Sequence, residues 1–435
     1  MGKRIAGCLF LTLLWTICLT GCVPGPSDQT LYRLPKLPAE YESLETLIDG
    51  LLSGGAEYAA PTSGSNLQSV QMVDLDGDGE EEAVAFLRRA SDERPMKIYI
   101  FRSAGASYVQ YCVIEGTSNS IYSVSYVDLN GDGWREILAG TRGDLDVQNL
   151  AVYSVSSPEP QQLLLTGYSR YAARDLDGDS RQDLVVLRSD EENLTVADYY
   201  SWDGEALTLG PSLHLSSTVA ELNRLSAGVL AGGENALFVT AVTEDNAAMT
   251  DILVMRDGAL QNVSGSSGNR SCRFLELYPS DVNSDGITEV PIPVPFMQTD
   301  PEAPAFYRIC WRQYDGQGNS ALVRETFQDT QAGWSLILPE GWEDVTVSRS
   351  SSADGSSVTF ARVAGQEPEP FLTIYAFTGY NRTQLASRAG RLMLSRQAEV
   401  TYAAMIYGDG MGRIDEASLR ERFGLTAAEW ATGEN

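Results

Sequence analysis

An acidic pattern of nine residues, present four times, limits what this 435-residue chain can fold into more than any other feature. The copies are Asp74-Leu-Asp76-Gly-Asp78-Gly-Glu80-Glu-Glu82, Asp128-Leu-Asn130-Gly-Asp132-Gly-Trp134-Arg-Glu136, Asp175-Leu-Asp177-Gly-Asp179-Ser-Arg181-Gln-Asp183 and Asp281-Val-Asn283-Ser-Asp285-Gly-Ile287-Thr-Glu289. Positions 1, 3, 5 and 9 always carry a side-chain oxygen, with turn-forming residues between. A tight loop of that spacing converges its oxygens on one point, as a hard cation such as Ca²⁺ with its six to eight oxygen ligands requires. Position 7 (Glu80, Trp134, Arg181, Ile287) would offer only its backbone carbonyl, which accounts for its varied side chains. Glycine at position 6 of three copies permits the sharp turn, and Ser180 makes the third copy the weakest candidate. The expectation is structural Ca²⁺ at up to four sites.

An EF-hand opens the same way but needs a bidentate Glu at position 12, between two helices. Position 12 here is Ala85, Ala139, Val186 and Ile292. Short apolar runs at 83–87, 137–139 and 184–187 follow three of the loops and read as buried strands. Polar Asp-Gly turns without a metal are the simpler alternative. Retention of all four ligand positions in all four copies argues against it.

First positions fall at 74, 128, 175 and 281, so the last step of 106 is twice 53 and a repeat is expected near 228. The segment Gly228-Val-Leu230-Ala-Gly-Gly233-Glu-Asn-Ala236-Leu237 keeps an apolar position 2, the position-6 glycine and a following strand. It lacks the ligands and reads as a fifth unit whose metal site has decayed. Each unit also shows a strand before the loop (67–73, 121–127, 274–277) and a third strand after it (96–101, 150–155, 194–202, 252–256, 305–314). Turns such as Asp203-Gly204, Asp257-Gly258 and Asp315-Gly316 lead to a fourth. Four antiparallel strands every ~50 residues describe the blade of a β-propeller, and propellers have about four to eight blades.

Loops and repeat length over residues 66–327 resemble the FG-GAP/VCBS-type repeats of integrin α-subunit propellers and many bacterial surface proteins. The resemblance implies a calcium-loop propeller with the ion in the hairpin between the first two strands of a blade.

The ends of the chain carry other signals. Lys3 and Arg4 precede a mostly apolar stretch, 5–19, that is short for a membrane span and reads as a leader over 1–21. Its end, Leu19-Thr-Gly-Cys22, resembles the bacterial lipobox, which implies cleavage before Cys22, a diacylglycerol anchor on its thiol and a place outside the cytoplasm. Residues 22–65 then hold a proline-containing tether and a short helix, with Tyr41, Leu44, Leu47, Ile48, Leu51 and Leu52 at helical spacing before Gly54-Gly55. Beyond residue 328 the repeat stops. Strands are expected at 334–339, 345–347, 357–363, 371–377 and 400–407, with helices at 383–396 and from Asp415 to Phe423. That order suggests a small C-terminal α+β domain over 328–435, although 334–377 could instead form a sixth blade.

The fold class expected is thus mainly β: a propeller of four-stranded blades with calcium-binding hairpins, plus the α+β domain. Only Cys112, Cys272 and Cys310 lie beyond the lipid site, in expected strands where a buried thiol is usual. The net charge is −28, and loss of Lys3 and Arg4 with the leader leaves −30. Such acidity excludes nucleic acid as a partner. A single histidine, His214, removes His-based triads and multi-His metal sites, and neither a phosphate loop nor a Gly-x-Ser-x-Gly elbow occurs. No residue is assigned a catalytic role. The reading is a non-catalytic binding module for an envelope or extracellular protein or glycan. The alternative is a glycan hydrolase or lyase using a carboxylate pair.

Overall fold

The computed structural model describes residues 39–426 except 106, 119, 143–147, 265–274, 303 and 366. The expected leader, Cys22, most of the tether, Cys272 and Phe274 lie outside the described residues. Within them the chain is mainly β, with three α-helices and six antiparallel sheets that follow one another in sequence. It divides into two compact units, one taking in residues up to 60 with 68–74 and 78–117, the other 61–67, 75–77 and 118 onward.

In the first unit, helix α1 (Ala39–Ser53) ends at Gly54-Gly55, where Gly55 takes the left-handed φ of +92°. Its apolar stripe buries Leu44 and Ile48 against Ala83, Ala85, Leu87 and Phe101. The sheet beneath has strands Glu57–Tyr58, Val70–Val73, Glu82–Arg88, Met96–Ser103 and Tyr108–Gly116. Glu82–Arg88 is buried on both faces up to its last residue, which is why its sequence is a continuous apolar run and not an alternation.

In the second unit, three four-stranded meanders come first. They are Ile121–Val127, Glu136–Arg142, Gln148–Ser154 and Gln161–Gly167; then Arg170–Arg174, Asp183–Ser189, Leu194–Trp202 and Leu207–Thr218; then Leu222–Val229, Asn235–Val242, Ala248–Arg256 and Ala259–Asn262. Second and third strands are mostly buried, whereas the fourth strand Gln161–Gly167 is largely exposed. A fifth sheet orders Glu289–Pro295, Tyr307–Tyr314, Ser320–Asp329, Trp334–Ile337 and Phe423–Leu425. A sixth orders Val345–Ser352, Gly355–Arg362, Glu369–Phe377, Thr401–Ile406 and Leu392–Arg396. Trp334, Trp342, Phe360, Phe371 and Leu419 share one core there.

Four local expectations change. The unit near 228 has lost more than ligands: eight residues separate Val127 from its partner Glu136, but only five separate Val229 from Asn235. Gly228 belongs to a strand opposite Ala236, and a Cβ there would come 2.2 Å from the Thr288 Oγ1, so close packing and not a turn explains that glycine. Before the fourth loop, residues 275–279 form no strand, and pairing is reduced to a bridge between Ser280 and Glu289. Trp334–Ile337, expected to open the C-terminal segment, is the fourth strand of the fifth sheet. The helix expected over 383–396 is a short α2, Arg382–Ala386, after which Gly390 at φ +81° turns the chain into strand Leu392–Arg396. Helix α3, Glu416–Arg422, is capped as expected by Asp415, whose side chain accepts from the Ser418 N–H at 2.8 Å.

Candidate metal sites

All four acidic loops are hairpins that wind around their own side-chain oxygens. The position-1 carboxylate accepts from the backbone N–H of position 6 in every loop: Gly79 to Asp74 at 3.2 Å, Gly133 to Asp128 at 3.0 Å, Ser180 to Asp175 at 3.0 Å and Gly286 to Asp281 at 2.8 Å. Position 5 accepts from position 7, through Asp78, Asp132, Asp179 and Asp285, at 2.8 to 2.9 Å. Position 3 accepts from position 5 through Asn130, Asp177 and Asn283. In the second to fourth loops the position-1 carboxylate accepts backbone N–H groups on both of its oxygens, so these bonds fix how each side chain is turned within its loop.

Such winding needs left-handed backbone at two places. Position 6 was legible from its glycines. Position 4 was not: Gly77, Gly131, Gly178 and Ser284 have φ of +72°, +76°, +81° and +62°. Ser180 at +75° and Ser284 are therefore the strained members of the set.

Position 9 opens the second strand of its hairpin and is buried: Glu82, Glu136, Asp183 and Glu289 are at most 2 % exposed. In three loops it accepts from the position-2 N–H at 2.8 Å, from Leu129, Leu176 and Val282. Burial, reinforced by the neighbouring carboxylates Asp132 and Asp128, pushes Glu136 up to about 7. Burial likewise pushes Asp183 up to about 6 and raises Glu289. A buried acid facing further acids is the electrostatic problem that a divalent cation offsets.

Three loops bring three carboxylates together with ligand atoms within 4.8 Å of one another: Asp74, Asp76 and Asp78; Asp175, Asp177 and Asp183; Asp281, Asp285 and Glu289. Oxygens on opposite sides of a Ca²⁺ lie about 4.6–5.2 Å apart, so this donor set fits that ion in kind and spacing. The second loop supplies no such group. There the Asn130 amide donates to Asp132 at 3.2 Å and to Glu136 at 3.1 Å, bridging the acids itself. In the third loop Arg181, expected to offer only its carbonyl, closes an ion pair with Asp179 at 2.6 Å and holds that carboxyl below its usual range. Asp179 accordingly stands outside the third group. Glu80, Trp134 and Ile287 use their N–H groups on position 5 as described.

Residues far away in sequence complete the sites. Gln313, opposite Glu289 across the sheet, donates to Asp285 and Glu289, both at 2.8 Å. Tyr199 donates to Asp177 at 3.1 Å. Only knowledge of the strand register could have singled them out. Loops of the second unit also touch in succession. The Arg135 N–H donates to the Leu75 carbonyl at 2.7 Å, the Asn235 amide to the Asp175 carbonyl at 2.6 Å and the Thr288 N–H to the Val229 carbonyl at 2.9 Å. The short turn is tied within itself by Leu230 N–H to Glu234 carbonyl and Gly233 N–H to Leu230 carbonyl, at 2.9 and 2.8 Å.

Residues weighed for other chemistry have ordinary places. His214 is exposed on a strand, 3.1 Å from Asp190. Cys112 and Cys310 are buried free thiols, as expected of strand cysteines. Trp311 is fully buried and donates to Thr326. No helix among the described residues is long and apolar enough to cross a membrane.

No family model matches the sequence. No curated protein matches it either. Among solved structures, the chain is similar to an exo-β-1,3-galactanase from Phanerochaete chrysosporium with galactose, at 12 % identity over 78 % of this chain and 81 % of that one, TM-score 0.26. A variant of that enzyme with β-1,3-galactotriose gives 11 % identity over 77 % and 81 %, TM-score 0.26. A hypothetical protein from Leishmania major gives 10 % over 63 % and 92 %, TM-score 0.18. A likeness at this level fixes neither fold nor activity.

Proposed function

We propose that the chain is an extracytoplasmic lipoprotein, anchored through Cys22, whose successive sheets are the blades of a calcium-stabilised β-propeller of FG-GAP/VCBS type. Its role is non-catalytic: it displays a binding surface to an envelope or extracellular protein or glycan. The observation that carries this reading is the recurrence of one wound loop, at the same hairpin of the first, second, third and fifth sheets, with a buried acid at its ninth position. The loop acids are already engaged in holding the loops, and the lone histidine is exposed, which leaves little machinery for hydrolysis. Calorimetric titration of the purified chain with CaCl₂ tests the metal. Uptake of three to four ions at millimolar calcium or below is expected, and no uptake at 10 mM would end the proposal. Turnover of a neutral or acidic polysaccharide, abolished by one carboxylate substitution outside the loops, would replace the binding role by an enzymatic one.

A further inference from the structure

We propose that a cavity of ≈ 600 Å³ between the first strands of the second, third and fourth sheets binds an acidic saccharide. The inference rests on the binding-module reading and names its ligand, but it draws on none of the loop acids.

Tyr122, Tyr168, Tyr171, Arg170, Asn223 and Arg224 shape the cavity. Ser63, Ser123, Ser125 and Ser169 add hydroxyls, and none of the described residues lining it is acidic. Asp and Glu outnumber Lys and Arg by 59 to 31 in this chain, so a lining that holds Arg170 and Arg224 and no acid among the described residues departs from the charge of the rest. Both cations are positioned. The Arg224 guanidinium lies over the Tyr278 ring, 4.8 Å from its centroid, and Tyr278 is anchored by a hydrogen bond to Asn223. Arg170 is exposed, donates to the Leu222 carbonyl at 3.2 Å and makes no ion pair among the described residues.

The tyrosines are equally placed. Ser125 and Tyr171 hydroxyls are 2.9 Å apart, and the Tyr168 and Tyr171 rings are tilted with centroids 5.7 Å apart. Gly140, on the neighbouring strand, makes room: a Cβ there would come 2.0 Å from the Tyr168 Oη and 2.5 Å from the Ser123 Oγ. A planar guanidinium suits a carboxylate or sulfate, tyrosine rings offer flat apolar faces, and serine, asparagine and glutamine side chains both give and accept bonds from sugar hydroxyls. The volume lies in the ~300–1,000 Å³ range of small-ligand sites. The acidic surface elsewhere does not forbid an anion at physiological salt, because charges farther than about 8 Å are largely screened.

The test titrates the full chain, purified in detergent, with galacturonic acid tetrasaccharide, hyaluronan tetrasaccharide, neutral cellotetraose and a Glu-rich peptide. Binding of at least one acidic saccharide is expected, at least tenfold tighter than cellotetraose or the peptide. Arg170→Ala, at an exposed position, should weaken it tenfold or more with an unchanged melting temperature, and Arg170→Lys should restore part of it. Gly140→Ala, which displaces Tyr168, should also weaken it. Binding of neither acidic saccharide, equal binding of the peptide, or an unaffected Arg170→Ala variant would overturn the proposal. Each titration is repeated in calcium and in EGTA. Calcium uptake without saccharide binding overturns this inference and leaves the metal reading standing, and the converse result spares this inference alone.

Discussion

The hairpin from Val127 to Glu136 and the hairpin from Val229 to Asn235 join equivalent strands of the second and fourth sheets, yet they are closed by different means. The longer one carries three acids, one of them buried, and winds its backbone around their oxygens. The shorter one has an apolar Leu230 that is fully buried, and it ties its own backbone without help from acids. A hairpin at this place therefore needs no ion in order to form. It is the three additional residues and their charges that create the electrostatic problem, so under the proposed function a cation would serve the long loops and not the sheets as such.

The largest effect that could break this contrast is metal removal. With a dissociation constant of ~0.1 mM, each site adds about 1.4 kcal/mol at ~1 mM calcium, and four sites add about 6 kcal/mol. EGTA should then lower the melting temperature of the calcium-loaded chain by roughly 5–10 °C in a fluorescence melt. Next comes Leu230→Ala, which removes a fully buried side chain and should cost about 2–5 kcal/mol. Its calcium stoichiometry by calorimetry should match the parent's, and a lost ion would mean that the short turn does take part in binding. Removing single ligands should matter less. Asp281→Ala and Asp76→Ala should each cost about 1.4 kcal/mol in calcium and delete one ion. Asn130→Ala should cost less, because its amide already bridges the acids of its own loop.

Proton concentration sharpens the same point. Burial raises Glu136 from 4.5 to about 7 and Asp183 from 3.8 to about 6. A raised carboxyl binds its proton more tightly in the folded chain, so its contribution is complete below the unfolded value, near 4, and is lost as pH rises through 6 to 7. In EGTA the chain should therefore melt at progressively lower temperature from pH 4.5 to 7.5, and calcium should flatten that slope. The smallest effect is a gain. Ser284→Gly and Ser180→Gly relieve left-handed serines and should each add up to about 1 kcal/mol in a denaturant titration, whether or not calcium is present.

Much of this was written in local sequence. Ligand spacing, the glycines of position 6 and the buried run after each loop are short-range signals, and the third strand 194–202 was placed to the residue. Long-range signals were invisible. Gln313 reaches the fourth loop only because register sets it opposite Glu289, and Arg181 reads as a bystander until its side chain is seen on Asp179. The segment 383–396 misled because Leu385, Ala389, Leu392 and Met393 fall at helical spacing while Gly390 breaks the chain among them. Gly228 stands where the other copies carry their first acid, and only the structure shows that close packing on Thr288 leaves room for nothing larger.

The hydrogen bonds that run from one hairpin to the carbonyl of the hairpin before it have a consequence for how this molecule comes apart. At three junctions a tip is braced by the hairpin after it, so a hairpin that loosens withdraws its donor and exposes its predecessor's carbonyl to water. Amide deuteration along this edge should spread from tip to tip, like a seam opening stitch by stitch, and not begin everywhere at once.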